Sequence, residues 1–190
     1  QPLAMHGADH DHHDSQDPHV WRDPQNVKIM VKNIAQALIA ADPAGRDYYT
    51  QRLAAYHKEL DQLQSWVQQE ISTIPEKNRK VLTSHDAFGY LAKRFGIRIL
   101  SPQGVSTEAE ASAKEVAMLI REIKKSGIRA LFMENISNPK LIEQIARETG
   151  ANTGLKLYSD ALSREANANS YLAMYRSNIR NLVAGMRSNQ

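Results

Sequence analysis

The sequence predicts an α/β protein whose carboxy-terminal lobe has a four-stranded, mostly parallel sheet flanked by helices and is preceded by a long linking helix. Two observations lead to this prediction. Beyond residue 75, short β-type runs alternate with helical stretches of ten to twenty residues, which is the pattern of βαβ units. Before residue 75, the apolar residues recur only at helical spacing, so we expect helix and loop there but no sheet.

The composition excludes several classes of protein. The 190-residue chain has a formal net charge of only +3, with lysine and arginine spread along the predicted helices, so we expect no nucleic-acid partner. The absence of cysteine excludes thiolate zinc sites, disulfides and cysteine nucleophiles. No stretch reaches the roughly 18 apolar residues that cross a bilayer. No signal peptide is visible and the first residue is not Met, so we expect a mature form or a fragment.

Residues 1–18 are polar, rich in histidine and aspartate, and without an apolar period, so we predict a flexible loop. Excess imidazole and carboxylate on such a segment can hold a metal weakly and exchange it quickly. We therefore expect an auxiliary weak metal loop that contains His6, His10, His12 and His13. A solvated loop and the remnant of a purification tag are the alternatives, although aspartate and alanine interrupt the histidines.

Two helices are predicted next. Residues 19–43 contain the first helix, which begins near Pro24. Because no sheet is predicted for this segment to pack on, we interpret residues 19–43 as the remnant of an amino-terminal lobe. Residues 44–74 form the long linking helix, whose apolar residues recur in steps of three and four. Such a stripe fits either one half of a helical hairpin or a strut between two lobes, and Pro75 ends it.

Residues 75–190 form the predicted carboxy-terminal lobe, in which strands and helices alternate. The four strands are expected at 79–85, 97–102, 129–135 and 154–162, and a last helix at about 167–186. We expect Asp86 to cap the helix after the first strand, and Thr107 to cap the helix after the second.

Three residues with ligand-type side chains stand at the ends of predicted strands. His85 ends the first strand, Glu134 ends the third, and Asp160 lies towards the end of the fourth. Because ligands of open parallel sheets bind beyond the carboxyl ends of the strands, these three residues are candidates for one metal site. Nitrogen and oxygen donors without thiolate suit Zn²⁺, Mn²⁺ or Fe²⁺.

His19 differs from the other histidines near the amino terminus. It lies in "DPHVWRDP", between two Asp-Pro pairs and next to Trp21. The prolines fix the backbone and Trp21 can bury the entry to the following helix, so His19 is predicted to be held in place. His57, on the long helix, is instead expected to be a solvated surface residue.

Four motifs in a fixed order, "DPHVWRDP", "TSHDAFGYLAKRFGI", "FMEN" and "LYSDALS", resemble the metal-specific solute-binding proteins of ABC transporters. These are periplasmic or lipid-anchored receptors for zinc, manganese and iron. The resemblance covers nearly all of the chain from Asp17 on. It implies two α/β lobes that are joined by one long rigid helix and hold the metal between them.

The resemblance also implies the ligands. Of the family's four ligand positions, the first is a histidine of the amino-terminal lobe, which we expect to be missing from this chain, and the others correspond to His19, His85 and Asp160. The third position is glutamate in manganese and iron receptors and histidine in many zinc receptors, so His85 indicates zinc. Zinc members often carry a histidine-rich loop before the D-P-H-x-W motif. Glu134 matches no ligand position and is expected either to orient a ligating imidazole through its other nitrogen or to cap a helix.

The expected function is high-affinity capture of Zn²⁺, with Mn²⁺ or Fe²⁺ as alternative ions, and its delivery to an ABC transporter permease. The expected location is the periplasm, or the cell surface through a lipid anchor. The mechanism is binding without catalysis. The alternatives are a manganese or iron receptor of the same family, a metal-buffering or adhesion protein, and a zinc hydrolase with Glu134 as general base. The sequence has no His-Glu-x-x-His motif, which argues against the hydrolase.

Overall fold

The computed structural model describes residues 17–104, 111–135, 138–153 and 156–189. Its helices and strands are α1 (Pro24–Ala41), α2 (Arg46–Ser72), β1 (Lys80–Leu82), α3 (Gly89–Phe95), β2 (Arg98–Leu100), α4 (Ala113–Ser126), β3 (Ala130–Leu131), α5 (Lys140–Thr149), β4 (Asn152–Thr153) and α6 (Tyr171–Met186). Short 3₁₀ turns lie at Val20–Arg22, Pro43–Gly45 and Glu76–Asn78. None of the helices in these ranges is both long and apolar enough to cross a membrane. The predicted histidine-rich loop lies, up to residue 16, outside the described residues, as does Thr107.

The four strands form one sheet in the order β2-β1-β3-β4, and every strand pair is parallel, which confirms the predicted sheet. From β1 the chain passes outwards to β2, and from β3 it passes outwards to β4 on the other side. The order therefore reverses between β1 and β3. In open parallel sheets this switch point leaves a crevice beyond the carboxyl ends of the two central strands, where ligands bind.

Helices cover both faces of the sheet, as short parallel sheets require. The neighbouring β1 residues Val81 and Leu82 point to opposite faces. Val81 belongs to the core formed with α2, α3 and α6, whereas Leu82 belongs to the core formed with α4 and α5. The central strands are thus buried on both sides, and the strand ends are left open to form a site.

The long helix α2 is one half of a helical hairpin and also part of the core of the carboxy-terminal lobe, whereas its role as a strut between two lobes stays a prediction. Its first half packs against α1 as an antiparallel hairpin, and its second half enters the core of the lobe beside α6. The apolar residues of this second half are fully buried; they are Leu60, Leu63, Val67 and Ile71. The prediction that His57 is a solvated surface residue is wrong, because α1 packs over it. His57 is half-buried, and its Nε2 donates to the carbonyl oxygen of Lys28 at 3.1 Å.

Two further local predictions are wrong. Asp86 caps no helix, because the chain turns before α3 begins at Gly89, with Phe88 in the cap position. The backbone N–H of Asp86 instead donates to the carbonyl of Gly104 at 3.2 Å. The fourth strand lies earlier than expected, at Asn152–Thr153, with a single further bridge between Leu157 and Glu134.

Helix α4 begins at a capping box. The hydroxyl of Ser112 accepts from the N–H of Glu115, and the Glu115 carboxylate accepts from the N–H of Ser112 at 2.8 Å. This exchange satisfies two of the free N–H groups at the helix start. Ser112, not Thr107, is therefore the cap of this helix.

At the amino end of the sheet, the side chain of Asn189 joins the starts of two strands. Its Oδ1 accepts from the backbone N–H of Arg129 at 2.8 Å and of Ala130 at 3.3 Å. Its Nδ2 donates to the carbonyl oxygens of Asn78, at 2.8 Å, and Lys80. Because Asn189 is buried, removal of its amide leaves buried backbone groups without partners.

We therefore predict that Asn189→Ala lowers the free energy of unfolding by about 2 kcal/mol or more. Urea denaturation followed by circular dichroism measures this change. The matched control is Ser188→Ala at the exposed neighbouring position, where a change within about 0.5 kcal/mol is expected. Equal unfolding midpoints for the two variants would contradict the role assigned to Asn189.

Candidate metal centre

The structure brings together the three predicted ligands from distant parts of the chain. Nε2 of His19 lies 3.4 Å from Oδ1 of Asp160, and Nε2 of His85 lies 3.2 Å from Oδ2 of the same carboxylate. The two imidazole rings cross edge to face with their centroids 5.4 Å apart. One donor atom from each residue lies within 4.8 Å of the other two. Such a cluster is compact enough to surround one metal ion.

His19 is held at the turn that precedes the first 3₁₀ segment. The carboxylate of Asp17 accepts from the backbone N–H of His19 at 2.9 Å, and its Oδ1 lies 2.7 Å from Nδ1 of the ring. The Trp21 ring packs against the imidazole with centroids 5.3 Å apart, and the histidine is buried. This arrangement uses Nδ1 and leaves Nε2 directed at Asp160, as metal-binding imidazoles require.

Asp17 contacts a predicted ligand but was not among the site residues predicted from the sequence. Asp-Pro-His is a common turn sequence, in which the aspartate side chain bonds to the backbone two residues on. That local signal predicts the bond to the N–H of His19. Only the fold shows that the same carboxylate also meets the ring nitrogen and is buried.

His85 is completely buried just beyond β1 and is fixed by Glu134, which follows β3. Oε1 of Glu134 accepts from the backbone N–H of Ser84 at 2.8 Å and of His85 at 3.0 Å. Its Oε2 lies 2.6 Å from Nδ1 of His85, an ion pair without the alignment of a hydrogen bond. Glu134 therefore lies at the ring nitrogen of His85 that faces away from Asp160, the place that one of its two predicted roles, the orientation of an imidazole, requires. It is not part of the three-residue cluster.

Asp160 is the most open of the three residues, with a side chain that is 30% exposed. The backbone that carries it is held firmly. Asn178 accepts from the N–H of Tyr158 at 2.9 Å and donates to its carbonyl at 2.8 Å. Asn135 accepts from the N–H of Ser159 at 3.1 Å. The site is thus reached through its carboxylate, while both imidazoles lie inside.

The charges of the cluster are strongly coupled. Burial alone would lower the pKa of His19, but the carboxylates of Asp160 and Asp17 outweigh it and raise the pKa to about 8. Burial likewise opposes the charge on His85, but Asp160 and Glu134 raise the pKa of this histidine to about 9. For Asp160, burial would raise the pKa, but the contacts with His19 and His85 hold it well below its usual range. Near neutral pH both imidazoles of the metal-free site are therefore in the cationic form, with a proton on each ring nitrogen.

The spacing of the donors suits a small divalent cation. Donor atoms placed tetrahedrally around zinc at about 2.0–2.1 Å are about 3.3–3.4 Å apart. The two nitrogen–oxygen distances, 3.4 and 3.2 Å, are of that size, although they end on the two different oxygens of the Asp160 carboxylate. Two imidazole nitrogens and one carboxylate can supply three of the four ligands of a tetrahedral site.

The chain is similar to known metal-binding proteins of ABC transporters. Residues 1–185 match the family of ZnuA, the zinc-uptake complex component A, periplasmic. The zinc-binding protein TroA of Treponema pallidum is 33% identical over 176 residues, which are 90% of this chain and 57% of TroA. The iron-binding protein YfeA of Yersinia pestis is 34% identical over 148 residues, 78% of this chain and 48% of YfeA.

A manganese ABC transporter substrate-binding lipoprotein, PsaA of Streptococcus pneumoniae, is 27% identical over 90% of this chain and 56% of its own length. The solved structure of the periplasmic zinc-binding protein TroA superposes with a TM-score of 0.90 at 31% identity. That superposition covers 98% of this chain and 67% of the TroA chain. The chain thus spans about half the length of the curated relatives that it matches. The chain belongs to the ZnuA family of metal-binding proteins of ABC transporters.

Proposed function

We propose that this chain captures a divalent transition metal, with zinc as the preferred ion, between His19, His85 and Asp160, and delivers it to an ABC transporter permease. One observation carries the proposal. The Nε2 atoms of both histidines converge on one carboxylate at the spacing of zinc ligands, and a second carboxylate lies at Nδ1 of each ring. A carboxylate at the far nitrogen is the usual support of a metal-binding imidazole.

The preference for zinc rests on the donor set. Two imidazoles and one carboxylate suit Zn²⁺, whereas a site richer in oxygen suits Mn²⁺. The relatives are named for zinc, iron and manganese, so family membership leaves the ion open. His85 supports zinc because its position is occupied by nitrogen rather than by carboxylate oxygen.

The contacts of Glu134 support binding without catalysis. A zinc hydrolase needs a general base beside the metal-bound water. Glu134, the candidate base, uses both oxygens behind His85: one on two backbone N–H groups and the other on the imidazole. It is buried and lies at the ring nitrogen of His85 opposite the one that Asp160 contacts.

The exposed helix α1 supports a two-lobed receptor, in which residues 19–43 belong partly to a second lobe. Several large apolar side chains on this hairpin face solvent; they are Ile29, Met30, Ile34, Leu38 and Tyr48. An exposed apolar patch of this kind marks an interaction surface. We assign it to contact with a further segment, of the kind that makes the relatives longer, and we expect that segment to supply the fourth metal ligand. The relatives' names support a periplasmic or lipid-anchored receptor beside its permease. If no permease purifies together with the protein, a metal-buffering or adhesion protein is favoured.

The first test is a calorimetric titration of the chain with Zn²⁺. We expect one tight site, which weakens by about 100-fold or more in His19→Ala and in His85→Ala because each change removes a ligand. His57→Gln, far along α2, is the matched control and leaves the affinity unchanged. Deletion of residues 6–13 removes only weak sites, as expected of an auxiliary loop made of His6, His10, His12 and His13. Loss of the tight site on this deletion, with His85→Ala unaffected, would reverse the two roles.

The second test is the pH dependence of binding. With pKa values raised to about 8 and about 9, both imidazoles are protonated near neutral pH and must lose their protons to bind metal. We expect about two protons released per zinc at pH 7, an affinity that rises up to about 100-fold per pH unit near pH 6–7, and a plateau above about pH 9.

Calorimetry in buffers of different ionisation enthalpy counts these protons. The chain without residues 6–13 is used, so that the histidines of the loop contribute nothing. Histidines with an ordinary pKa of about 6.5 would together release only about half a proton at pH 7. That smaller release is the result that contradicts the coupled site.

The third test exchanges the donor at the position of His85. In the single variant His85→Glu, the new carboxylate would face that of Glu134, because Oε2 of Glu134 lies 2.6 Å from Nδ1 of the imidazole that the substitution removes. We therefore expect the double variant His85→Glu with Glu134→Gln to shift the ratio of Mn²⁺ to Zn²⁺ affinity towards manganese by about tenfold or more. Glu134→Gln alone is the control. A ratio in the double variant equal to that of the control would overturn the assignment of zinc preference to His85.

A further inference from the structure

Arg22 is a fully buried cation next to the metal centre, and none of the roles described so far includes it. Its side chain is 0% exposed. The guanidinium lies over the ring of Phe88, with its central carbon 4.2 Å from the ring centroid. Two of its nitrogens, Nε and Nη1, have no hydrogen-bond acceptor among the described residues. Because a buried charge is costly to take out of water and this one is only partly paired, stabilisation of the fold is a weak explanation for the burial of Arg22.

The paired edge of the guanidinium contacts the backbone that carries Asp160. Nη2 donates to the carbonyl oxygen of Tyr158 at 3.0 Å and to that of Ser159. These are the two peptide groups immediately before Asp160. Because the carboxylate of Asp160 is partly exposed, the course of this backbone sets where its oxygens lie.

The main chain of Arg22 also contacts the other side of the site. Its N–H donates to the carbonyl oxygen of His19 at 3.1 Å, which closes the turn that holds this histidine. Its own carbonyl accepts from the hydroxyl of Tyr175, on α6, at 2.7 Å. One residue therefore joins the turn of His19, the loop of Asp160 and a core helix of the lobe.

We propose that Arg22 is a positioning residue of the metal site, which sets the distance between His19 and Asp160 by bonding to the backbone of both segments. The inference rests on the proposed function. The planar fork of arginine suits it, because one nitrogen can reach two carbonyls while the flat face packs on an aromatic ring. Lysine has the charge but not this geometry.

A second effect of the same side chain has the opposite sign. A positive charge beside the site repels a bound cation, so its removal alone would tighten metal binding. Positioning and repulsion therefore make opposite predictions for a neutral substitution. This opposition allows one variant, Arg22→Met, to decide between them, since methionine fills the space over Phe88 without donors or charge.

The experiment compares zinc affinity and the visible absorption of bound Co²⁺ in five forms of the 190-residue chain: wild type, Arg22→Met, Arg22→Lys, Arg79→Met and His85→Ala. Arg79 is the matched control, because it bonds through Nε to the carbonyl of Ile74 at 2.9 Å and lies at the opposite end of β1 from the site. We expect Arg22→Met to weaken zinc binding about tenfold or more and to alter the Co²⁺ spectrum, with Arg22→Lys intermediate and Arg79→Met like the wild type.

Unchanged or tighter zinc binding in Arg22→Met, with a wild-type Co²⁺ spectrum, overturns the inference. If circular dichroism shows that Arg22→Met is unfolded, Arg22→Lys decides alone, and wild-type affinity in that variant overturns it. The His85→Ala arm separates this result from a failure of the proposed function. Loss of binding in His85→Ala with none in Arg22→Met refutes only the role of Arg22, whereas no loss in His85→Ala refutes the site itself.

Discussion

The carboxylate of Asp160 lies between two imidazoles that are 66 positions apart in the chain, and the order of the sheet makes this meeting possible. The strand order reverses between β1 and β3, so the residues that follow these strands enter one crevice. His85 and Glu134 leave those two strands, and Asp160 follows the bridge next to β3. The turn of His19 closes the crevice from the amino-terminal side.

Within that crevice, each histidine has a carboxylate at both ring nitrogens. Asp17 or Glu134 lies at Nδ1, and Asp160 lies at Nε2 of both rings. The carboxylates favour either two protons or, on the proposed function, one divalent cation, and both alternatives add two positive charges. Metal uptake then exchanges charge for charge in a buried place, where a change in net charge is costly. The fixed rings also favour one mode of binding, through Nε2.

The local sequence was sufficient for the architecture and for much of the site. Alternation of strands and helices predicted the parallel sheet, and the position of His85 at a strand end placed it beside the crevice. The sequence was insufficient where tertiary packing decides. His57 is covered only because α1 folds back on α2, and Arg22 is buried only because its segment docks on α6. Asp86 has the chemistry of a helix cap, but a turn moves the cap position two residues further, to Phe88.

On the proposed function, His19, His85 and Asp160 hold the ion through Nε2, Nε2 and a carboxylate oxygen. A crystal structure of the zinc-loaded chain, with anomalous data collected on both sides of the zinc edge, tests this most directly. We expect one strong anomalous peak at about 2.0–2.2 Å from these three atoms. A peak coordinated through Nδ1 of either ring, or a dominant peak on the histidines of residues 6–13 with none between His19 and His85, would contradict it.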